Sequence, residues 1–306
     1  MPGNRPASDP EFPRQPAGAL SRKGNNHMSR IDRRFPEKRA FVTGAAAGLG
    51  LEICEQLAHQ QWKLFIVDIN APRLHDVAEK LRAMGAEVID RELDVTRPEA
   101  LDTARADIVA AWGGVDLVFN NAGIAVAGEV DEVALEDWHR VINVDLWGVI
   151  HGCRTFSSLL KQQGSGHIIN TASSAGTLSA PEMAPYNVAK AGVISLSETL
   201  RVELSKYDIG VTVVCPTVFA SSLGENIGDS TRGEKMLQRQ LEQTQVSAKE
   251  IVADVFDAIE RRRLYVMTQP DARWGWRMKR LSPEFFFNSL ARMYRDRKGV
   301  FAEDRF

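Results

Sequence analysis

The stretch RAFVTGAAAGLGLEICEQLAHQ, from Arg39 to Gln60, decides the fold. It begins with a short apolar run, bends at a glycine-rich turn and continues with apolar residues at helical spacing, which predicts a strand, a turn and a helix in succession. Gly44, Gly48 and Gly50 show the spacing G-x-x-x-G-x-G. Glycines at these points let the backbone bend sharply and approach a pyrophosphate at the positive N-terminus of a helix. The stretch therefore predicts a dinucleotide-binding turn, with these contact residues: Gly44, Ala46, Gly48, Leu49 and Gly50.

Downstream of this turn, apolar strands alternate with helical segments through most of the chain. The expected strands lie at residues 39–44, 63–70, 86–95, 115–123, 166–173, 209–216 and 263–267. Continuous apolar strands that alternate with helices predict an α/β fold with a doubly wound parallel sheet, covered by helices on both faces. We therefore expect a Rossmann fold with three layers, α/β/α, in a single domain that spans residues 36–268.

The two ends of the chain differ from this domain in composition. Residues 1–35 are rich in Pro, Gly, Asn and Arg without an apolar period, which predicts a disordered tail or vector-derived sequence. Residues 269–306 form a basic and aromatic extension, and residues 261–306 hold 12 Lys and Arg against 5 Asp and Glu. Ordinary packing or a subunit contact is the favoured interpretation of the extension. A cover for a lipophilic substrate and attachment to a membrane surface are the alternatives.

The bulk composition excludes several classes of function. Of 306 residues, 44% are apolar and 25% are charged, and the formal net charge of −2 gives no argument for nucleic acid as a partner. No apolar run reaches the roughly 18–20 residues that a membrane span requires. Three separated cysteines and six scattered histidines show no metal-ligand spacing, so we expect no metal and a reduced, cytoplasmic protein.

Polar residues that follow the strands are candidates for cofactor contacts. Asp68 ends the second strand, where a carboxylate can accept hydrogen bonds from both ribose hydroxyls of an adenosine and repel a 2′-phosphate, which favours NAD over NADP. Alternatively, Asp68 caps the helix that starts near Ala71. Asn120 can contact the cofactor or stabilise the edge of the sheet. The further cofactor contacts that we expect are Ile69, Asp94, Val95, Asn121, Ala122 and Gly123.

These motifs together resemble the short-chain dehydrogenase/reductase family. The resemblance covers residues 38–267 and rests on TGAAAGLG at 43–50, NNAG at 120–123, INVDLWG at 142–148, TASSAG at 171–176 and YNVAK at 186–190. It implies that Tyr186 is the general acid and base, and that Lys190 lowers the pKa of Tyr186 and binds the nicotinamide ribose. It also implies that Ser173 holds the substrate oxygen, with Ser174 as a rival. Asn143 would hold a water in a proton relay, unless its side chain is bonded to nearby backbone.

The resemblance also implies contacts in the loop after the sixth strand. Pro216, Val218 and Ser221 are expected to contact the cofactor, as are Tyr186 and Lys190. The family often has glycine after this proline, whereas the chain has Thr217, so the loop near the nicotinamide is expected to follow a different path. Leu178 and Met183 lie in the segment before Tyr186 and are expected, with Ser173 and Tyr186, to contact the substrate.

The function expected from these residues is an NAD-dependent interconversion of a secondary alcohol and a ketone of apolar character. An NADPH-dependent carbonyl or 3-oxoacyl reductase is the alternative among enzymes, and an NAD-sensing regulator or scaffold without turnover is the alternative from another class. The resemblance also implies a homodimer or homotetramer built on the two long helices.

Overall fold

The structure, a computed structural model, describes residues 28–219, 232–244 and 246–296. Its strands are β1 (Arg39–Thr43), β2 (Lys63–Asp68), β3 (Val88–Glu92), β4 (Leu117–Asn120), β5 (Gly166–Thr171), β6 (Ile209–Val214) and β7 (Tyr265–Val266). They form one seven-stranded sheet in the order β3-β2-β1-β4-β5-β6-β7, and every neighbouring pair is parallel. The predicted doubly wound parallel sheet in a single domain is therefore confirmed.

Helices connect the strands and cover both faces of the sheet. They are α1 (Met28–Arg34), α2 (Gly48–His59), α3 (Ala71–Ala83), α4 (Pro98–Trp112), α5 (Leu135–Ile142), α6 (Gly148–Gln163), α7 (Ser174–Leu178), α8 (Ala184–Glu203), α9 (Arg232–Gln243), α10 (Ala248–Arg261), α11 (Pro270–Leu281) and α12 (Pro283–Arg295). A turn of π-helix, Asn143–Trp147, joins α5 to α6, and a short 3₁₀ helix, Ser205–Tyr207, follows α8.

The alternation of side chains along the strands produces two separate cores. Val42 and Ile66 belong to one core with apolar residues of α2, α3 and α10, whereas Phe41 and Phe65 belong to the other with residues of α4, α6 and α8. The central strands β1, β2, β4, β5 and β6 are covered on both faces, and their residues are almost all buried. The edge strand β3 differs, since it ends in the polar residues Asp90, Arg91 and Glu92. The strand order reverses between β1 and β4, so a crevice is expected at the carboxyl ends of these two strands.

The N-terminal boundary differs from the prediction. Within the segment assigned to a disordered tail, residues 28–34 form α1, and the side chains of Ile31 and Phe35 are buried in the core that contains α2 and α10. Two apolar residues spaced one helical turn apart are enough to dock a short helix, although they are too few to produce a visible apolar period. Residues 1–27 lie outside the described residues.

The helical segment between β4 and β5 is not one continuous α-helix. It consists of α5, the π turn and α6, because Asn143–Trp147 form a wider turn than the α-helix on either side. This turn lies beside α8, and it places residues of the helix next to the start of α8. In the described part of the chain, no helix combines the length and the apolarity needed to cross a membrane.

Candidate active site

The glycine turn joins β1 to α2 at the crevice. Gly44 has a φ of +64°, a backbone conformation that residues with a side chain rarely adopt. A Cβ atom at Gly50 would lie 2.1 Å from the Gly44 carbonyl oxygen, so only glycine lets α2 lie this close to the turn. No side chain among the described residues caps α2 at its N-cap residue, Ala47. The backbone N–H groups of the first helical turn therefore remain available to a pyrophosphate, and the turn fits a dinucleotide.

Asp68 is tied to the glycine turn. Its Oδ2 accepts a hydrogen bond from Ala46 N at 3.1 Å, and its Oδ1 accepts one from Asn70 N at 3.0 Å. The cap of α3 is Asn70, whose side chain accepts from Arg73 N, so the alternative role of Asp68 as that cap is not observed. The carboxylate thus lies beside the turn, next to Ile69, whose side chain is 68% exposed. Ala46 and Leu49 are buried as whole residues, so a cofactor contact of either residue stays a prediction.

The NNAG segment holds the strand ends together. The Asn121 side chain donates to Thr43 O at 3.1 Å and to Gly44 O at 3.3 Å, and the backbone N–H groups of Asn121 and Ala122 both donate to Thr43 Oγ1. Asn120 is buried and donates to Asn170 Oδ1 at 2.9 Å, so its side chain stabilises the sheet. These amides fix the shape of the crevice at the ends of β1 and β4.

The segment after β3 lies at the same edge of the sheet. Asp94 Oδ1 accepts hydrogen bonds from the backbone N–H and the hydroxyl of Thr96, at 2.9 Å and 2.8 Å. Val95 is buried, and its carbonyl oxygen lies 3.1 Å from His151 Nδ1. The contacts that the structure gives these two residues are thus local, and an adenine contact stays a prediction.

Tyr186 and Lys190 lie one turn apart at the start of α8, and both side chains are buried. Lys190 Nζ lies 5.4 Å from the centroid of the Tyr186 ring and donates a hydrogen bond to Thr171 O, at the end of β5, at 3.0 Å. Ser173 is the N-cap of α7; its Oγ accepts from Ala175 N at 3.1 Å and donates to Pro216 O at 3.3 Å. A phenol, an ammonium and a hydroxyl therefore converge at one edge of the sheet.

The structure does not bring Asn143 into this group, which corrects the prediction made for it. Asn143 begins the π turn, and its side chain is exposed. Two residues later, Asp145 is completely buried; its Oδ2 lies 2.9 Å from Lys190 Nζ, and its Oδ1 accepts from Ile124 N at 2.8 Å. Residues two apart on a helix point in nearly opposite directions, so Asn143 and Asp145 cannot both face α8. The signal for Asp145 in the sequence is a carboxylate within an apolar run, since a buried charge needs a partner.

Burial dominates the protonation of this centre. Burial raises the pKa of the Tyr186 phenol. Lys190 lowers this pKa and Asp145 raises it, and the balance lies above the ordinary value for tyrosine. Burial lowers the pKa of Lys190, but the attraction of Asp145 and Tyr186 outweighs that effect, so this pKa is raised. Burial raises the pKa of the Asp145 carboxyl against the opposing effects of Lys190 and the Ile124 N–H. Tyr186 is thus a proton donor in neutral solution, before any ligand binds.

The two residues predicted to contact the substrate, besides Ser173 and Tyr186, lie in different surroundings. Met183 pairs with Gly128 in an isolated bridge and packs in the apolar cluster that contains Tyr186. Leu178 lies against α11, where a Cβ atom at Gly275 would be 3.2 Å from Leu178 Cδ2. Lys279 Nζ donates to Thr177 O at 2.7 Å and lies 3.2 Å from Ser179 Oγ. The extension is therefore held on the segment that precedes Tyr186.

The loop after β6 closes the other side of the centre. Pro216 O accepts hydrogen bonds from Ser173 Oγ and Ser174 N, so it fixes the start of α7. Thr217 N donates to the Oε1 atom of buried Gln269 at 3.2 Å, which ties the loop to the residue before α11. Val218 packs in the cluster that contains Tyr186. Ser221 lies outside the described residues.

Among the described residues, no three side chains of His, Cys, Asp or Glu lie close enough together to hold a metal ion. Cys54, Cys153 and Cys215 are free and buried. Burial raises the pKa of Cys215, at the end of β6, to about 12, so its thiol is neutral.

Comparison with known proteins agrees with this geometry. A family model described as short chain dehydrogenase matches residues 38–232. The putative oxidoreductase SadH of Mycobacterium tuberculosis is 36% identical over 195 residues, which cover 63% of this chain and 70% of SadH. The CLA biosynthesis dehydrogenase/reductase of Lactiplantibacillus plantarum is 31% identical over 256 residues, which cover 78% of this chain and 90% of that protein.

A solved structure extends the match to three dimensions. A short chain dehydrogenase/reductase from Burkholderia phymatum, in complex with NAD, superposes with a TM-score of 0.76 at 33% identity, covering 80% of this chain and 94% of that one. The family model spans more than half of the 306 residues and includes the glycine turn, Ser173, Tyr186 and Lys190. The chain belongs to the short-chain dehydrogenase/reductase family.

Proposed function

We propose that this protein is an NAD(H)-dependent oxidoreductase that interconverts a secondary alcohol and a ketone. The observation that carries the proposal is the buried Tyr186 phenol, one turn from Lys190, at the sheet edge that also holds Ser173 and the glycine turn. An acid, a cation and a hydroxyl in this arrangement suit a reaction in which a carbonyl oxygen gains or loses a proton. A nicotinamide cofactor bound at the turn would supply or accept the hydride.

Each side chain has a separate part in this proposal. Tyr186 donates its proton to the ketone oxygen in reduction and takes it back in oxidation. Ser173 donates a hydrogen bond to the same oxygen in place of its present bond to Pro216 O, and so stabilises the developing negative charge. The Lys190 ammonium stabilises the tyrosinate and binds the nicotinamide ribose. The relay role first predicted for Asn143 is not proposed, because that side chain is exposed.

The carboxylate of Asp68 supports NAD rather than NADP. It lies next to the glycine turn, where it can accept from ribose hydroxyls and would repel a 2′-phosphate. The nearest basic residue after Asp68 along the chain is Arg73. It lies within α3 and not in the glycine turn, so it does not indicate a site for a 2′-phosphate at the turn. An apolar substrate is supported by Met183, which packs in the cluster that contains Tyr186, and by Leu178, which lies against α11.

The quaternary structure and location of the protein are part of the same proposal. The two long helical segments expose apolar side chains, namely Trp147 in the π turn and Val188 and Val202 in α8. These side chains support a homodimer or homotetramer formed through the two segments. Three buried free thiols support a reducing, cytoplasmic location. Light scattering coupled to size-exclusion chromatography measures the assembly directly.

A screen of ketones and secondary alcohols of graded size, with NADH, NADPH and their oxidised forms, tests the proposed activity. We expect turnover of an apolar ketone with NADH, monitored by the loss of NADH absorbance. Tyr186→Phe should lower kcat about 1,000-fold or more, because it removes the proton donor, and leave NADH affinity within a factor of two or so. Tight NADH binding without turnover of any substrate would instead identify a cofactor-sensing regulator.

A further inference from the structure

Asp145 and Lys190 form an ion pair in the interior of the protein. The Asp145 side chain is completely buried and that of Lys190 is 2% exposed, with 2.9 Å between Oδ2 and Nζ. Removing two opposite charges from water is costly unless they pair and find further hydrogen bonds. Both conditions are met, because Asp145 Oδ1 accepts from Ile124 N and Lys190 Nζ donates to Thr171 O.

We propose that Asp145 is a positioning residue, whose carboxylate fixes the Lys190 ammonium and balances its charge, so that Tyr186 keeps its proton in neutral solution and the site is set for ketone reduction. The proposal rests on the function proposed above. It explains why a charged lysine side chain lies in the interior and not in solvent. It also predicts that the site favours reduction over oxidation, which the arrangement of Tyr186, Lys190 and Ser173 alone does not indicate.

Few other groups can disturb this balance. The titratable groups that act on Tyr186 and Lys190 among the described residues are Asp145 on the π turn and Cys215 at the end of β6, besides each other. Cys215 is a neutral thiol, because burial raises its pKa to about 12. Asp145 is therefore the one negative charge among these groups that opposes the ammonium of Lys190.

The reduction step is balanced with these residues. A reduced nicotinamide held at the glycine turn would supply the hydride. The carbonyl carbon gains this hydride as the C=O π bond breaks, and its oxygen takes the proton of Tyr186, which leaves an alcohol and a tyrosinate beside Lys190. The tyrosinate regains a proton from water before the next turnover. A retained proton on Tyr186 favours this step, whereas the reverse oxidation needs the tyrosinate at the outset.

Asp145→Asn tests the proposal through the pH profile. The amide oxygen can still accept from Ile124 N, but the negative charge is lost. Without it, the unit formed by Tyr186 and Lys190 should release its first proton at lower pH, whichever of the two loses it. We expect the alkaline fall of ketone reduction and the rise of alcohol oxidation both to move down by about one pH unit or more.

Asp137→Asn is the matched control, since it removes a partly exposed carboxylate from neighbouring α5, where Asp137 pairs with Arg140. Its pH profile should equal that of the wild-type protein. A profile of Asp145→Asn that also equals the wild type would overturn the proposal, because it would mean that Asp145 carries no charge or that its charge does not reach Tyr186.

A stability cycle gives a second readout that needs no turnover. Asp145→Asn should lower Tm about 5 °C more in the wild-type background than in a Lys190→Met background, where no ammonium is left unpaired. Equal losses in both backgrounds would contradict the ion pair. If the single variant Asp145→Asn fails to fold, folding of the double variant would support the proposal, and failure of both would contradict it.

The two proposals fail in different ways. A protein that turns over no alcohol or ketone, yet shows the stability coupling and a shift in the pH dependence of NADH fluorescence quenching, would retain the role of Asp145 and lose the proposed function. Turnover that depends on Tyr186, with neither coupling nor a pH shift in Asp145→Asn, would retain the function and lose the role of Asp145.

Discussion

The glycine turn and the reaction centre lie at the same edge of one sheet, yet they are held in shape by different interactions. The turn is contiguous in sequence, and its shape depends on backbone atoms that approach closely, as at Gly44 and Gly50. The reaction centre is assembled from four separate segments, the π turn, the end of β5 with the start of α7, the start of α8 and the loop after β6, which meet through an ion pair and hydrogen bonds. The first region should therefore be sensitive to added atoms, and the second to lost charges and protons.

Gly50→Ala should give the largest effect among the variants that test this difference. The new Cβ would lie 2.1 Å from Gly44 O and 2.7 Å from Asn121 Nδ2, so α2 must move away from the turn. Overpacking of about 3 kcal/mol would weaken NADH binding about 100-fold. Fluorescence titration with NADH measures the loss.

Gly113→Ala is the control for this substitution. Gly113 follows α4 with a φ of +73°, and among the described residues no heavy atom other than those of its chain neighbours lies within 4 Å of its would-be Cβ. The backbone strain should lower stability by about 1 kcal/mol, while NADH affinity stays unchanged. An NADH affinity that is equally reduced in both variants would show that the turn is not specifically sensitive to an added methyl group.

Asp68→Asn tests the one side chain on which the cofactor preference of this region depends. The amide can keep a hydrogen bond from Ala46 N, but the charge that would repel a 2′-phosphate is gone. We expect the ratio of NADPH to NADH dissociation constants to fall about tenfold, which is about 1.4 kcal/mol. Asp76→Asn, an exposed carboxylate in α3, should leave the ratio unchanged. A wild-type protein that already prefers NADPH would refute the role given to Asp68.

The same difference explains which parts of the molecule could be predicted from the sequence. A strand, a glycine turn and a helix are local features, so β1, the turn and α2 were predicted within a residue or two. The pairing of Asp145 with Lys190 joins residues far apart in sequence, and its prediction requires the rotation of each side chain about its helix. The π turn changes the direction in which the side chains of this helical segment point. The residue type of Asn143 does not indicate that its side chain is exposed.

The C-terminal extension shows a similar limit. Its aromatic and basic residues predicted ordinary packing or a subunit contact, but not that α11 would lie on Leu178. Such contacts depend on tertiary packing, which single-sequence periodicity does not contain.

Gly123→Ala tests the point where the two regions touch. Gly123 belongs to NNAG, but a Cβ on it would lie 3.2 Å from Asp145 Oδ2 and 3.3 Å from Lys190 Nζ. The methyl group should displace the ion pair by a few tenths of an ångström and lower kcat about fivefold, equivalent to about 1 kcal/mol. A stopped-flow or steady-state assay at saturating NADH measures this change. Loss of NADH affinity with unchanged kcat would instead place the effect in the cofactor region.

Tyr294→Phe should give the smallest effect, because it changes only the outer edge of the reaction centre. The Tyr294 hydroxyl in α12 lies 2.8 Å from Glu129 Oε1 and 2.7 Å from Glu182 Oε1, which precedes Met183. Loss of this hydroxyl should lower stability by about 1 kcal/mol and raise the KM of an apolar ketone about twofold, with kcat unchanged.

Tyr207→Phe is the matched control for this change, since Tyr207 lies in the 3₁₀ helix before β6, at the opposite edge of the sheet. Its KM should equal that of the wild-type protein. Because α12 contacts the segment before Tyr186 and not the ion pair, Tyr294→Phe should leave the pH profile unchanged. A shifted pH profile would mean that the extension changes the protonation of Tyr186. The contacts of Tyr294 would then not be independent of the buried pair formed by Asp145 and Lys190.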